Sequence, residues 1–102
     1  MKKIILLGEA EVSTSLIVNK MKEYIKLKNV DVDIKALPLA ECEEVINNFD
    51  IILLSPKVRF QMPQVNALVK GKIPVKVIDT VLYGMINEKV ILEQALNLLD
   101  KK

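Results

Sequence analysis

Two short, uninterrupted apolar runs, KKIILL (2–7) and DIILLS (50–55), constrain this chain more than any other feature. A strand that is apolar at every inner position has no wet face, so both of its sides must be covered. Two further segments alternate instead. VDVDIKA (30–36) sets Val30, Val32, Ile34 and Ala36 against Asp31, Asp33 and Lys35, and IPVKVID (73–79) alternates through Ile73, Val75 and Val77. Alternation leaves one wetter face, which places these two segments at the edges of a sheet whose centre the continuous runs occupy.

Helical spacing fills the gaps. Residues 14–28 align Ile17, Met21, Tyr24, Ile25 and Lys28, a stripe that is apolar until its last turn. Residues 40–48 set Cys42, Val45, Ile46 and Phe49 on one side and predict a second helix. A third begins near Pro63, a residue suited to the first helical position, and runs through Val65, Leu68 and Val69 to a stop at Gly71. The last, about 87–99, lines up Ile91, Leu92, Ala95, Leu96 and Leu99. Strand and helix alternate four times, which calls for an α/β three-layer sandwich in one domain, residues 1–102. Two inner and two outer strands give a parallel sheet ordered 2-1-3-4, and right-handed crossovers put helices on both faces. In that order the chain reverses direction between strands 1 and 3, and ligands bind outside their carboxyl ends. The loops at 8–15, 55–60 and 79–87 should meet there.

Composition narrows the function classes. A formal net charge of +2, scattered basic residues and only two Tyr, two Phe and no Trp argue against nucleic acid as a partner. Apolar runs of about four residues fall far short of the roughly 20 that a membrane span needs. MKKIILL reads as a first strand rather than a leader, because Glu9 and Glu11 cut the apolar region short, and a cytoplasmic protein is expected. No histidine is present, which removes a histidine base, a phosphohistidine and any histidine-containing metal site. Glu41, Glu43 and Glu44 read as a solvated face, so neither metal nor cofactor is expected.

The loop GEAEVSTS (8–15) carries the question of chemistry. A strand-to-helix turn aims unpaired backbone N–H groups at an anion. Here it holds two carboxylates, Glu9 and Glu11, and no obvious nucleophile. Ser13, Thr14 and Ser15 are N-cap residue types, Ser13 the best placed. Cys42, the single thiol, shares a helical side with Val45, Ile46 and Phe49 and reads as core rather than as a reactive group. Lys57 and Arg59 stand beside the mouth as solvated loop charges or as contacts to a partner or anion. Tyr83 is expected to pack beside the first loop, and Met62 and Met85 to serve packing or an interface.

The segments STSLIVNKMK, DIILLSPKVRF, IPVKVIDTVLYGMIN and EKVILEQALNLL together give the chain an end-to-end resemblance. It resembles the enzyme IIB component of the lactose/cellobiose branch of the bacterial sugar phosphotransferase system. The resemblance implies a phosphocarrier. In that family a cysteine at the end of strand 1 accepts a phosphoryl group from a histidine of enzyme IIA. It then passes the group to a sugar bound by the membrane component, enzyme IIC. The loop after the cysteine wraps the phosphate with N–H groups and hydroxyls. The family's loop reads Cys-Ser-Ala-Gly-Met-Ser-Thr-Ser. Here the cysteine position is Gly8, the next is Glu9, the loop glycine is Glu11 and its methionine is Val12, while Ala10, Ser13, Thr14 and Ser15 agree.

Those replacements act physically. Glycine offers no atom to replace the thiolate. A phosphoryl group carries about −1.5 to −2 charge near neutral pH. One carboxylate about 5 Å away opposes it by roughly 3 kcal/mol per unit charge at an effective dielectric of ~20. A glutamate turned into the N–H cradle would leave the loop self-capped; glutamates pointing to solvent are the alternative. Three functions compete: a degenerate member that binds the family's partners without accepting phosphate, a carrier using another acceptor, and a scaffold outside transport. The degenerate member is the expectation.

Overall fold

The computed structural model describes residues 2–8, 12–38, 41 and 43–100. Its sheet consists of β1 (Lys2–Gly8), β2 (Val32–Pro38), β3 (Ile51–Leu54) and β4 (Val75–Val77), all parallel, in the order β2-β1-β3-β4. The expected three-layer architecture is present. Helix α1 (Val12–Lys28) and the C-terminal α4 (Glu88–Asp100) cover one face, and α2 (Met62–Val69) covers the other.

The continuous runs are buried as their composition requires. Ile4, Ile5, Leu6, Leu7, Ile51, Ile52, Leu53 and Leu54 are closed to solvent. Side chains alternate along each strand. Ile4, Leu6, Ile51 and Leu53 therefore meet Ile17 and Met21 of α1 and Leu92 and Ala95 of α4. Ile5, Leu7, Ile52 and Leu54 meet Val65 and Val69 of α2. Each such aliphatic side chain contributes about 1.5–3 kcal/mol by leaving water, so the two central strands anchor both layers.

Helix ends follow local chemistry. Asn29 takes a left-handed conformation (φ 52) after α1, and the Val30 N–H returns to the Ile25 carbonyl at 3.1 Å. That is the Schellman arrangement, which satisfies a carbonyl the helix leaves open. Lys70 (φ 54) and Gly71 (φ 73) end α2, close to the stop expected at Gly71.

Several expectations need correction. The helix expected over 40–48 is not an α-helix: among its described residues, Ile46–Asn48 form one 3-10 turn. Valine, isoleucine and two asparagines are mediocre helix formers, and a stretch this short gains too little to overcome nucleation. Its apolar side is nonetheless inward, with Ile46 buried and Val45 and Phe49 packed on the α2 layer. Cys42 lies outside the described residues. The strand expected at 30–36 runs Val32–Pro38, because the Val32 N–H bonds back to the Val30 carbonyl and holds the preceding residues in a turn. The strand expected at 73–79 is shortened to β4, since Pro74 has no N–H for the ladder, although its carbonyl accepts from Ile52 at 3.0 Å. Two expected loops contain helix: a 3-10 segment at Pro56–Gln61, and α3 (Thr80–Gly84).

Candidate functional site

The carboxyl ends of β1, β3 and β4 form one row. Leu7 pairs with Leu54, and Leu54 with Val77. One residue further, the Ser55 N–H donates to the Leu7 carbonyl at 2.9 Å and the Ile78 N–H to the Leu54 carbonyl at 2.9 Å. On the far side Gly8 pairs with Pro38. Gly8, Ser55 and Ile78 thus lie side by side at the edge where a parallel sheet presents ligands. Gly8 follows Leu6 by two residues and Ser55 follows Leu53 by two, so both continue the face covered by α1.

Ser55 is the unusual member. It is 0% exposed, and among the described residues its hydroxyl has no hydrogen-bond partner. Its backbone is satisfied: besides the bond to Leu7, its carbonyl accepts from the Val58 N–H at 3.0 Å. A buried hydroxyl that stays without a partner costs about 1–3 kcal/mol. Buried polar groups without partners are rare in native proteins and gather where something other than stability has been selected. Its signal in the sequence was a polar residue closing the otherwise apolar run DIILLS.

The next loop is held by Asp79. Its Oδ1 accepts from the Val81 N–H at 2.9 Å and the Leu82 N–H at 3.2 Å, capping α3. The motif DTVL, a short acidic residue ahead of an apolar pair, was the missed signal for that cap. Helix α3 carries Tyr83 into the core beside α4, where its ring is buried. Ile86 then takes φ 52, and the Asn87 N–H closes the turn on the Leu82 carbonyl at 3.0 Å.

The other expected residues fall as follows. Glu9, Ala10 and Glu11 lie outside the described residues. Val12, Ser13, Thr14 and Ser15 form the first turn of α1, so Ser13 stands inside the helix rather than at its cap. The side chains of Val12, Ser13 and Thr14 are outside the description, and Ser15 is exposed. Lys57 and Arg59 are exposed beside the row, and the Arg59 Nη1 donates to the Pro56 carbonyl at 3.0 Å. Met62 packs on the α2 layer, whereas Met85 is 69% exposed. Glu41, Glu43 and Glu44 face solvent. No group of three metal-ligating side chains occurs among the described residues. No described helix is long and apolar enough to cross a membrane.

The segments after β1, β3 and β4 carry exposed apolar side chains as well as the exposed charges of Lys57, Arg59 and Asp79. Phe60 after β3, Val81 and Met85 around α3, and Leu16 in the second turn of α1 are all exposed. Each lies on a segment that follows the carboxyl end of a strand in sequence. An open groove of about 370 Å³ lies elsewhere, lined by Lys3, Lys35, Leu37, Val45, Asn48 and Phe49 among others. Asp33 pairs in register with Lys3 and stands two residues from Lys35, which offsets their charge.

Comparison with known proteins agrees with this architecture. The family model "PTS system, Lactose/Cellobiose specific IIB subunit" matches residues 3–94. The oligo-beta-mannoside-specific EIIB component of the PTS system of Bacillus subtilis (strain 168) is 36% identical over 100 residues, covering 97% of both chains. The solution structure of a cellobiose-specific phosphotransferase IIB component from Borrelia burgdorferi superposes with a TM-score of 0.83. It is 34% identical and covers 99% of this chain and 94% of its own. The lactose-specific IIB component domain from Streptococcus pneumoniae shares the fold, with a TM-score of 0.79 at 17% identity. Its match covers 90% of this chain and 95% of the domain.

Proposed function

The chain belongs to the lactose/cellobiose-specific IIB family of the phosphotransferase system, and from that premise we propose that it is a degenerate member that binds the system's partners without carrying phosphate. The single observation that supports this reading is Gly8. It closes β1 in the row with Ser55, at the position where the family resemblance implies the phosphorylated cysteine, and it has no side chain to accept a group. Transfer from a phosphohistidine needs a nucleophile whose lone pair attacks phosphorus while the N–P bond breaks. The nearest described hydroxyl in the row, on Ser55, is fully closed to solvent, and no histidine in the chain serves as a base.

What remains suits binding. Phe60, Val81, Met85 and Leu16, exposed on the segments that follow β3, β4 and β1, offer apolar contact to a partner protein. Exposed aromatic and methionine side chains are enriched at protein contacts. The partners are enzyme IIA and the membrane-embedded enzyme IIC, met in the cytoplasm, with this chain acting as a competitor or regulator rather than as a link in transfer.

The test is direct. The protein is incubated with phosphoenolpyruvate, the general phosphotransferase proteins and a lactose/cellobiose-class enzyme IIA, then weighed by mass spectrometry and assayed for complex formation. A complex without a covalent phosphoryl adduct is expected. An adduct on any residue of the chain would overturn the reading, and absence of any complex would leave a scaffold outside transport.

A further inference from the structure

We infer that the end of the domain opposite the Gly8–Ser55 row docks on an anionic phospholipid bilayer, through a cluster of lysines and the exposed side chain of Leu27. The surface needs no protein partner, so the inference stands apart from the reading above.

The basic residues are scattered in sequence, but the fold gathers six lysines where the strands begin. Strand β1 opens with Lys2 and Lys3, and α1 closes with Lys26 and Lys28 in its last turn. The Lys2 N–H donates to the Asp31 carbonyl at 3.2 Å, which sets the chain leaving α1 beside the start of β1. On the other side the Asp50 N–H donates to the Lys3 carbonyl at 2.8 Å, just ahead of β3. The Ile52 N–H then donates to the Pro74 carbonyl at 3.0 Å, just ahead of β4. Lys72 shortly precedes Pro74 and lines one groove with Lys70, Asn47 and Ile73. All six lysines are exposed.

Among the described side chains of this end, Asp31 and Asp50 oppose them. The rest of the chain holds nine basic and eleven acidic residues, so positive charge is concentrated here. Helix C-termini favour cations, which accounts for Lys26 and Lys28 and, at the cap of α2, for Lys70. It accounts neither for Lys2 and Lys3 on a strand nor for Lys72 on a loop.

Leu27 selects among anionic partners. It is 80% exposed, more than Phe60, Met85, Val81 or Leu16, and it stands between Lys26 and Lys28. A leucine flanked by lysines suits a bilayer, whose phosphates take the ammonium groups while the acyl boundary takes the apolar side chain. Nucleic acid has no apolar layer to receive it. Each lysine near an anionic lipid surface strengthens binding about fivefold, so the attachment is reversible and sensitive to salt.

Co-sedimentation of the full chain with vesicles tests this. Vesicles of equal parts phosphatidylcholine and phosphatidylglycerol are expected to bind it at low salt at least about tenfold more tightly than pure phosphatidylcholine. Most of that binding should disappear at about 1 M salt, where the Debye length falls to about 3 Å. Lys70→Gln/Lys72→Gln should weaken binding about tenfold or more. Lys35→Gln/Lys89→Gln removes the same charge from the body of β2 and the start of α4, and should weaken it about threefold or less. Leu27→Ser, checked for folding by circular dichroism, should cost about threefold or more. Equal binding to the two vesicle types, no binding to either, or equal losses in the two lysine pairs would overturn the inference. Tighter binding to a DNA duplex than to the anionic vesicles at equal phosphate concentration would overturn it too, and assign the surface to nucleic acid.

Discussion

The Ser55 amide donates to the Leu7 carbonyl at 2.9 Å, and this bond sets Ser55 beside Gly8 at the end of the sheet. One residue is a glycine at the position where the family resemblance implies the phosphorylated cysteine. Its neighbour keeps a hydroxyl that nothing described accepts from or donates to. The two together mark this edge as a place where packing and hydrogen bonding were not the only requirements.

Among the described residues the Ser55 hydroxyl has no partner, and a buried hydroxyl without one costs stability, so removing it should help. Ser55→Ala is expected to raise the unfolding free energy by about 1–2 kcal/mol, because it deletes a desolvated polar group without deleting a bond. Thermal unfolding by circular dichroism should place the variant's Tm several degrees higher. A lower Tm would mean that the hydroxyl is satisfied in solution.

Capping by Asp79 makes the opposite prediction. Asp79→Ala removes the acceptor of two N–H groups at the start of α3 and should destabilise the protein by about 0.5–2 kcal/mol. Asp79→Asn keeps an acceptor oxygen and should lose less. If both variants unfolded with the wild-type denaturant midpoint, the cap would contribute nothing.

Phe60 separates binding from folding. Phe60 is 72% exposed, so Phe60→Ala should alter stability by no more than about 0.5 kcal/mol. It should still weaken the complex with enzyme IIA by tenfold or more, an effect typical of an aromatic contact residue. Fluorescence anisotropy of labelled enzyme IIA would check this, and unchanged affinity would move the contact elsewhere on the surface.

Restoring the missing chemistry is the strictest trial of the reading of Gly8. Gly8→Cys alone supplies a thiol but keeps both glutamates, and should accept phosphoryl poorly. Gly8→Cys with Glu9→Ser and Glu11→Gly should gain a phosphoryl adduct of about 80 Da from phosphorylated enzyme IIA. The single variant matching the triple one would show that the acidic loop is no obstacle.

Much of this was written in the chain. Continuous apolar runs specified the buried strands, because a strand covered on both faces cannot afford a polar position, and alternation specified the edges. Those two patterns with right-handed crossovers were enough for the order 2-1-3-4. The glycine at position 8, where the resemblance implies a thiol, and the neighbouring Glu9 and Glu11 in the sequence were likewise visible as residues alone.

Tertiary structure decided the rest, for reasons that no local pattern holds. Residues 40–48 have an apolar side, but whether that side rides on an α-helix or a single 3-10 turn depends on propensity weighed against packing over α2. The short helix α3 exists because Asp79 caps it and Tyr83 anchors it in the core. Ser55 has no motif. It became notable only when the pairing of β1 with β3 brought residues 47 apart in sequence into one row and closed them from water, since burial and the absence of a partner are properties of neighbours and not of sequence.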